Sequence, residues 1–318
     1  MTDVPNPNSW LNEVNFGVGT WAWGDRLVWG YGSGYSADDV RQAFDASLAA
    51  GVTLFDTAEV YGQGRSEQLL GQFIKESSGE ASGGPQVLVA TKFMPFPWRL
   101  RKQALLRALK GSLRRLGLEQ VDLYQIHQAL PPVNVETWMD AMAEAVQAGL
   151  TRAVGVSNYN RSWTQRAYDA LAREGIPLAS NQVEYSLINR KVEKNGLLKQ
   201  CQETGVRLIA YSPLGMGLLT GKYTVENPPA GIRAGRYNKK FLARMTPLLT
   251  LMKRIGQEHD GKTPAQVALN WTICKGTLPI PGAKTVSQAE QNAGALGWRL
   301  TEDEVAALDE ASDPLNLD

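Results

Sequence analysis

Short apolar runs alternate with amphipathic helical stretches at nearly constant spacing, and this constrains the fold more than any single motif. Strand-like runs begin near residues 17, 53, 87, 121, 153, 180 and 207, so successive starts differ by 36, 34, 34, 32, 27 and 27 residues. Each step is the length of one strand-plus-helix unit. The intervening segments Asp38–Ala50, Ser66–Lys75, Leu100–Leu116, Val135–Ala148 and Arg161–Arg173 carry apolar residues at helical spacing, the first closing at Gly51. One step is longer: a final run begins at Thr277, and the excess falls in a Gly/Pro/Arg-rich loop, Gly215–Tyr237, and an added helix ahead of Ala265–Cys274. Helices over Ser287–Leu296 and Thr301–Ala311 follow, the latter opening on the cap signal Thr-Glu-Asp-Glu.

Eight such units predict a closed (β/α)8 barrel, one domain over residues 1–318, with a long loop and extra helix after the seventh strand and a C-terminal helix. A doubly wound open sheet gives the same alternation. It is disfavoured because no Gly-x-Gly-x-x-Gly follows the first strand and because the candidate functional residues are spread over many strand ends. Gly17 and Gly19 mark close backbone approach in the first strand. Ser77–Pro85 reads as an exposed polar loop rather than a domain boundary.

Lys plus Arg (33) nearly cancels Asp plus Glu (32), leaving +1, so no global field favours nucleic acid or an anionic membrane. No run approaches the ~18 apolar residues of a membrane span, and the first residues lack the pattern of a targeting segment. Cys201 and Cys274 lie far apart in helical stretches and read as reduced packing residues, with no metal indicated. A soluble, cytoplasmic chain, acting as a monomer, is the expectation.

The stretch Thr53–Gly62 is apolar at first, then polar, ending on Tyr61-Gly62, as a strand does when it opens into a loop at a working face. It places Asp56 and Tyr61 near one strand end; Lys92 and His127 close two further apolar runs. An ammonium ~4 Å from a phenol would stabilise the phenolate by ~4 kcal/mol at an effective dielectric near 20, or roughly three pKa units. Lys92 supplies that only while charged, which a carboxylate such as Asp56 would favour. His127 adds a neutral group able to orient a carbonyl oxygen. Taken singly, the three are more often a turn or cap aspartate, a solvated lysine and a satisfied core histidine. Together they indicate proton chemistry at a barrel mouth and nothing narrower.

Several longer motifs narrow it. Gly51-Val-Thr-Leu-Phe-Asp56-Thr-Ala-Glu-Val-Tyr61-Gly, Thr91-Lys92, Asp122-Leu-Tyr-Gln-Ile-His127, Gly155-Val-Ser-Asn158, Asn181-Gln-Val-Glu-Tyr185, Ala210-Tyr-Ser-Pro-Leu-Gly215, Gly217-Leu-Leu-Thr-Gly-Lys222-Tyr and Ile280-Pro-Gly-Ala-Lys284 resemble the aldo-keto reductase signatures, in that family's order and over nearly the whole chain. The resemblance implies reduction of a small aldehyde or ketone to an alcohol by hydride transfer from NADPH, with NADH second. By it, Tyr61 is the general acid, Lys92 lowers its pKa, Asp56 supports Lys92, and His127 orients the carbonyl. Ser157, Asn158 and Gln182 would hold the nicotinamide carboxamide, Tyr211 would stack on the ring, and Trp21 counts among the cofactor residues. Ser212, Leu214, Gly217 and Lys222 would follow the pyrophosphate, and Gly282, Lys284, Gln288, Gln291 and Asn292 the adenosine half. Gln288 stands where many members carry an arginine for the 2′-phosphate, leaving Lys284 to supply that charge.

Trp21, Trp23, Trp29, Met94, Phe96 and Trp98 follow strand ends and are candidates to wall the substrate pocket, each also readable as loop packing. The chain stops at Asp318, soon after its final helix, so an open pocket is expected. Two other functions remain as alternatives. One is a cofactor-binding, redox-sensing accessory subunit of a channel or complex, with little turnover. The other is an aldolase-like Schiff base on Lys92, which Asp56 opposes by keeping the amine charged.

Overall fold

A computed structural model describes residues 8–78, 86–229, 235 and 237–316. Eight parallel strands, β1 Gly17–Gly19, β2 Leu54–Asp56, β3 Leu88–Phe93, β4 Val121–Ile126, β5 Thr151–Ser157, β6 Leu178–Glu184, β7 Arg207–Tyr211 and β8 Leu278–Ile280, pair in chain order. The ring closes where Gly19 bridges to Gly282, its amide donating to the Pro281 carbonyl at 3.0 Å. A Cβ on Gly19 would lie 2.9 Å from the Ile280 carbonyl oxygen, the close approach expected of this glycine. The chain is a (β/α)8 barrel.

The strand pattern divides two ways. Phe55, Val89, Tyr124, Val154 and Leu208 face outward into one large core shared with the surrounding helices. Leu54, Ala90, Leu123, Ile209 and Leu278 face inward and form a separate cluster that includes Trp10 and Leu11. Those two residues belong to the helix Ser9–Glu13, which precedes the regular alternation and was not expected. Two residues beyond Leu54, Ala90, Leu123 and Ile209, on the same inward face, stand Asp56, Lys92, Gln125 and Tyr211. The apolar plug thus gives way to a polar layer toward the strands' C-terminal ends, where a barrel carries its site.

The helices between strands fall close to expectation: Ala37–Ala49, Arg65–Ser78, Lys102–Leu116, Val135–Gln147, Arg161–Arg173, Lys239–Glu258, Pro264–Cys274, Val286–Ala293 and Glu302–Ser312. Thr301 caps the last reciprocally with Glu304. The single helix expected ahead of β7 is two, Lys191–Lys194 and Leu197–Thr204. Most of the polar loop Ser77–Pro85, and residues 230–234 and 236 of the loop Gly215–Tyr237, lie outside the described residues. Cys201 is buried, its thiol pushed up to about 12 by burial, and Cys274 is half-buried; both are free. Among the described residues no helix is long and apolar enough to cross a membrane, and no cluster suits a metal.

Candidate active site

The polar layer opens into a cavity of about 560 Å³. Seventeen of the eighteen expected site residues line it; Lys92 does not, because it lies fully buried behind Asp56 and Tyr61.

Lys92 Nζ donates to the Asp56 carboxylate, to the Thr57 carbonyl at 2.9 Å and to the Tyr61 hydroxyl at 3.3 Å. Asp56, 2% exposed, also accepts from Gln125 Nε2 at 3.2 Å and Gln182 Nε2 at 2.8 Å. The arrangement satisfies the buried carboxylate and ammonium together. Burial works against the Lys92 charge, but Asp56 and then Tyr61 outweigh it, so the amine's pKa is raised and it stays protonated. Tyr61 departs from expectation. Its phenol is raised above the ordinary value, because burial is the largest influence and Asp56 offsets the downward pull of Lys92. The hydroxyl therefore rests protonated.

Tyr61 is positioned by a tight turn. Gly62 adopts φ +54°, and a Cβ there would lie 2.6 Å from the Gly24 carbonyl oxygen. The loop after β1 packs against this turn: Trp21 stacks on Tyr61 with ring centroids 6.0 Å apart, and Trp29 meets Trp21 edge-on at 5.6 Å. His127 stands edge-on to Tyr61 at 5.5 Å. Burial, reinforced by Lys92, lowers its pKa to about 3, so the ring is neutral near pH 7. Its buried Nδ1 has no hydrogen-bond partner among the described residues.

On the opposite wall, Tyr211 donates to Asn158 Oδ1 at 3.0 Å. Asn158 Nδ2 donates to the His127 carbonyl and to Ser157 Oγ, each at 3.1 Å. Ser157 in turn donates to the Gln182 carbonyl at 2.8 Å. Asn158 is not a helix cap; Asn160 caps the next helix. Asn158 and Ser212 have φ of +61° and +50°, unfavourable for non-glycine residues and a cost found most often at functional sites. Leu214 and Gly217 line the cavity with Lys222, whose amine lies over the Tyr223 ring at 4.9 Å.

The last group, Gly282, Lys284, Gln288, Gln291 and Asn292, also lines the cavity. Asn292 Nδ2 donates to the Gly282 carbonyl at 3.2 Å, and Gln288 Oε1 accepts from the Lys284 amide at 2.9 Å. Gln288 thus braces the loop, while the Lys284 ammonium lies 4.5 Å from the Tyr35 ring centre and 5.7 Å from that of Trp29.

Of the substrate-wall candidates, Trp21, Trp29 and Met94 line the cavity. Trp23 is a core residue, fully buried with its indole donating to the Ala283 carbonyl at 2.8 Å. Phe96 and Trp98 stack on each other at 4.6 Å away from the cavity. Gln125 was missed, as were Val60, Gln128 and Met216 on the wall. Among the described residues, none after Asn292 lines the cavity. Asn316 instead accepts from the Arg190 amide at 2.6 Å.

The model of the Aldo/keto reductase family matches residues 15–313. The chain belongs to this family. Pyridoxal reductase, chloroplastic, from Arabidopsis thaliana is 45% identical over 309 residues, covering 95% of this chain and 84% of the relative. L-glyceraldehyde 3-phosphate reductase from Escherichia coli is 34% identical, covering 87% and 84%. An aldo/keto reductase from Klebsiella pneumoniae, solved with NADP and acetate, superposes with TM-score 0.72 at 28% identity, covering 93% of this chain and 90% of that one. The chain is thus an oxidoreductase by family.

Proposed function

We propose that this chain reduces aldehydes or ketones to alcohols with hydride from NADPH, Tyr61 serving as proton donor. The observation that carries the reading is the phenol of Tyr61 on a cavity wall, 3.3 Å from a buried, protonated lysine, in a cavity also lined by Lys284. Such a cavity suits an extended anionic dinucleotide: donors and acceptors of an amide at Ser157 and Asn158, an aromatic face at Tyr211, cations at Lys222 and Lys284. The Klebsiella pneumoniae relative solved with NADP supports the choice of nucleotide.

The bound nicotinamide supplies the hydride. The residues of the chain do the rest. Tyr61, protonated at rest, donates its proton to the carbonyl oxygen as negative charge develops there. Lys92, kept charged by Asp56, stabilises the phenolate left behind. Neutral His127 orients the carbonyl by hydrogen bonding rather than as a cation. The Schiff-base alternative is opposed by the protonation of Lys92 and by its position behind the wall.

Trp21, Trp29, Val60 and Met94 give the mouth aromatic and apolar walls, which favour a flat aromatic aldehyde. The pyridoxal reductase relative supports the same class. The deciding experiment measures NADPH binding, then turnover on a panel including pyridoxal and small aliphatic aldehydes, for wild type and Tyr61→Phe. Turnover should fall by at least ~10²-fold in the variant with NADPH affinity retained. A variant that turns over like the wild type would remove Tyr61 from the chemistry.

A further inference from the structure

A second concavity, of about 630 Å³, lies on the outside of the barrel between the segment after β3 and the helix Lys102–Leu116. Its floor is built of small residues, Ala104, Ala108 and Gly111, at spacings of four and three that put them on one helix face. Five arginines and a single carboxylate, Glu59, surround that floor. The charge is local: Arg99–Leu116 carries seven Lys and Arg residues and no Asp or Glu, in a chain whose net charge is +1.

Two of the five guanidiniums are already neutralised. Arg99 pairs with Glu59, and Arg115 donates to the fully buried Glu67 at 2.6 Å. The other three, Arg101, Arg107 and Arg114, have no carboxylate partner among the described residues. Arg107 bonds only the carbonyl of Gln103, one turn back. A surface helix ordinarily offsets its cations with acids at spacings of three or four. Here the like charges instead line one hollow together with small residues, the Arg114 and Arg115 guanidiniums lying over Gly111. Such crowding is unfavourable unless an anion offsets it.

We propose that this concavity binds a small ligand carrying two or more phosphate groups, at a site separate from the active-site cavity. The planar fork of arginine pairs in bidentate fashion with phosphate oxygens, and three unpaired guanidiniums match the several charges of a diphosphate better than the single charge of a carboxylate. Glu59 on the rim does not oppose this, because Arg99 holds it.

The test is calorimetric titration of the full chain with inorganic pyrophosphate at fixed ionic strength. Saturable binding is expected, weakened at least about tenfold in Arg107→Ala/Arg114→Ala, which removes two charge-assisted contacts. The arginine-dependent event should persist in Lys222→Ala/Lys284→Ala, which alters only the active-site cavity. Absence of saturable binding up to millimolar pyrophosphate overturns the proposal. So does binding lost in the lysine variant and intact in the arginine variant, or binding matched by equimolar sulfate. Should the double arginine variant fail to fold, the single variants Arg107→Gln and Arg114→Gln give the same comparison.

Discussion

The Lys92 ammonium bridges Asp56 and Tyr61, bonded to the carboxylate on one side and 3.3 Å from the phenol oxygen on the other, with both charged side chains almost wholly out of solvent. A charge pair this deep is worth little against an apolar substitute, yet losing one partner strands the other. Lys92→Met should therefore lower unfolding free energy by about 3–5 kcal/mol, as well as abolishing turnover. Adding Asp56→Asn should recover much of the stability and none of the activity. Urea unfolding of the two variants checks this, and a double variant no more stable than the single would show that the pair is not the source of the loss.

His127 provides a pH signature. Its folded pKa is about 3 against an ordinary 6.5, so below pH 6.5 the unfolded chain takes up a proton that the folded chain refuses. The unfolded state then binds more protons, and stability falls as pH drops from about 6.5 toward about 3 while being complete above 6.5. At pH 4 the loss from this ring is roughly 3 kcal/mol. His127→Gln lacks that loss, so its unfolding midpoint should move less than the wild type's between pH 7 and pH 4. Equal shifts in both proteins would mean that the ring titrates normally. For catalysis, the neutral ring and the raised phenol together give a reduction rate flat through neutral pH, with no limb near 6.5.

Asp56, Tyr61, Lys92 and His127 were legible as polar ends of apolar runs, which a barrel gathers at one face; the other expected residues of the candidate site came from the motif resemblance alone. The inward parity that places His127 at the end of Val121–His127 also marks Gln125 and Leu123, so the second donor to Asp56 was readable and was passed over. For Trp23 the packing alternative holds, a choice that spacing in a loop could not make because it says nothing of direction; its indole reaches Ala283, 260 residues away. The helix Ser9–Glu13 is a single short turn or so, too brief to show a period, and only the closed barrel supplies the apolar floor it covers. The sign of the Tyr61 shift could not be read from charges alone, since burial outweighs them. Left-handed backbone at Ser212 leaves no mark in residue type, whereas asparagine, the residue at 158, is among the few non-glycine types that adopt it readily.

Under the proposed function, Lys284 is the residue to test for discrimination between nucleotides. With Gln288 turned back onto the Lys284 amide, that ammonium is the expected partner for a 2′-phosphate. Removing one charge-assisted contact costs roughly 1.5–3 kcal/mol. Lys284→Ala should thus weaken NADPH binding by tenfold or more and leave NADH binding nearly unchanged, as measured by quenching of tryptophan fluorescence. Equal losses for the two nucleotides would assign the lysine to packing against Tyr35 and Trp29 rather than to the phosphate.

The catalytic turn itself can be tested without touching an ionisable group. Gly62 holds φ +54° directly after Tyr61, and its α-carbon faces the Gly24 carbonyl so closely that a methyl group would sit 2.6 Å from that oxygen. Backbone on both sides of the contact leaves no flexible atom to yield. Gly62→Ala must therefore pay the left-handed cost of about 1–2 kcal/mol and also push the turn away from the loop that carries Trp21. That movement displaces the Tyr61 hydroxyl from Lys92, and misplacement by about 1 Å is enough to reduce turnover by ~10²-fold. Lys284 lies over Trp29 of that same loop, so turnover is compared at saturating NADPH. A Gly62→Ala protein with full turnover would show that the turn tolerates a side chain and that Tyr61 is positioned by other contacts.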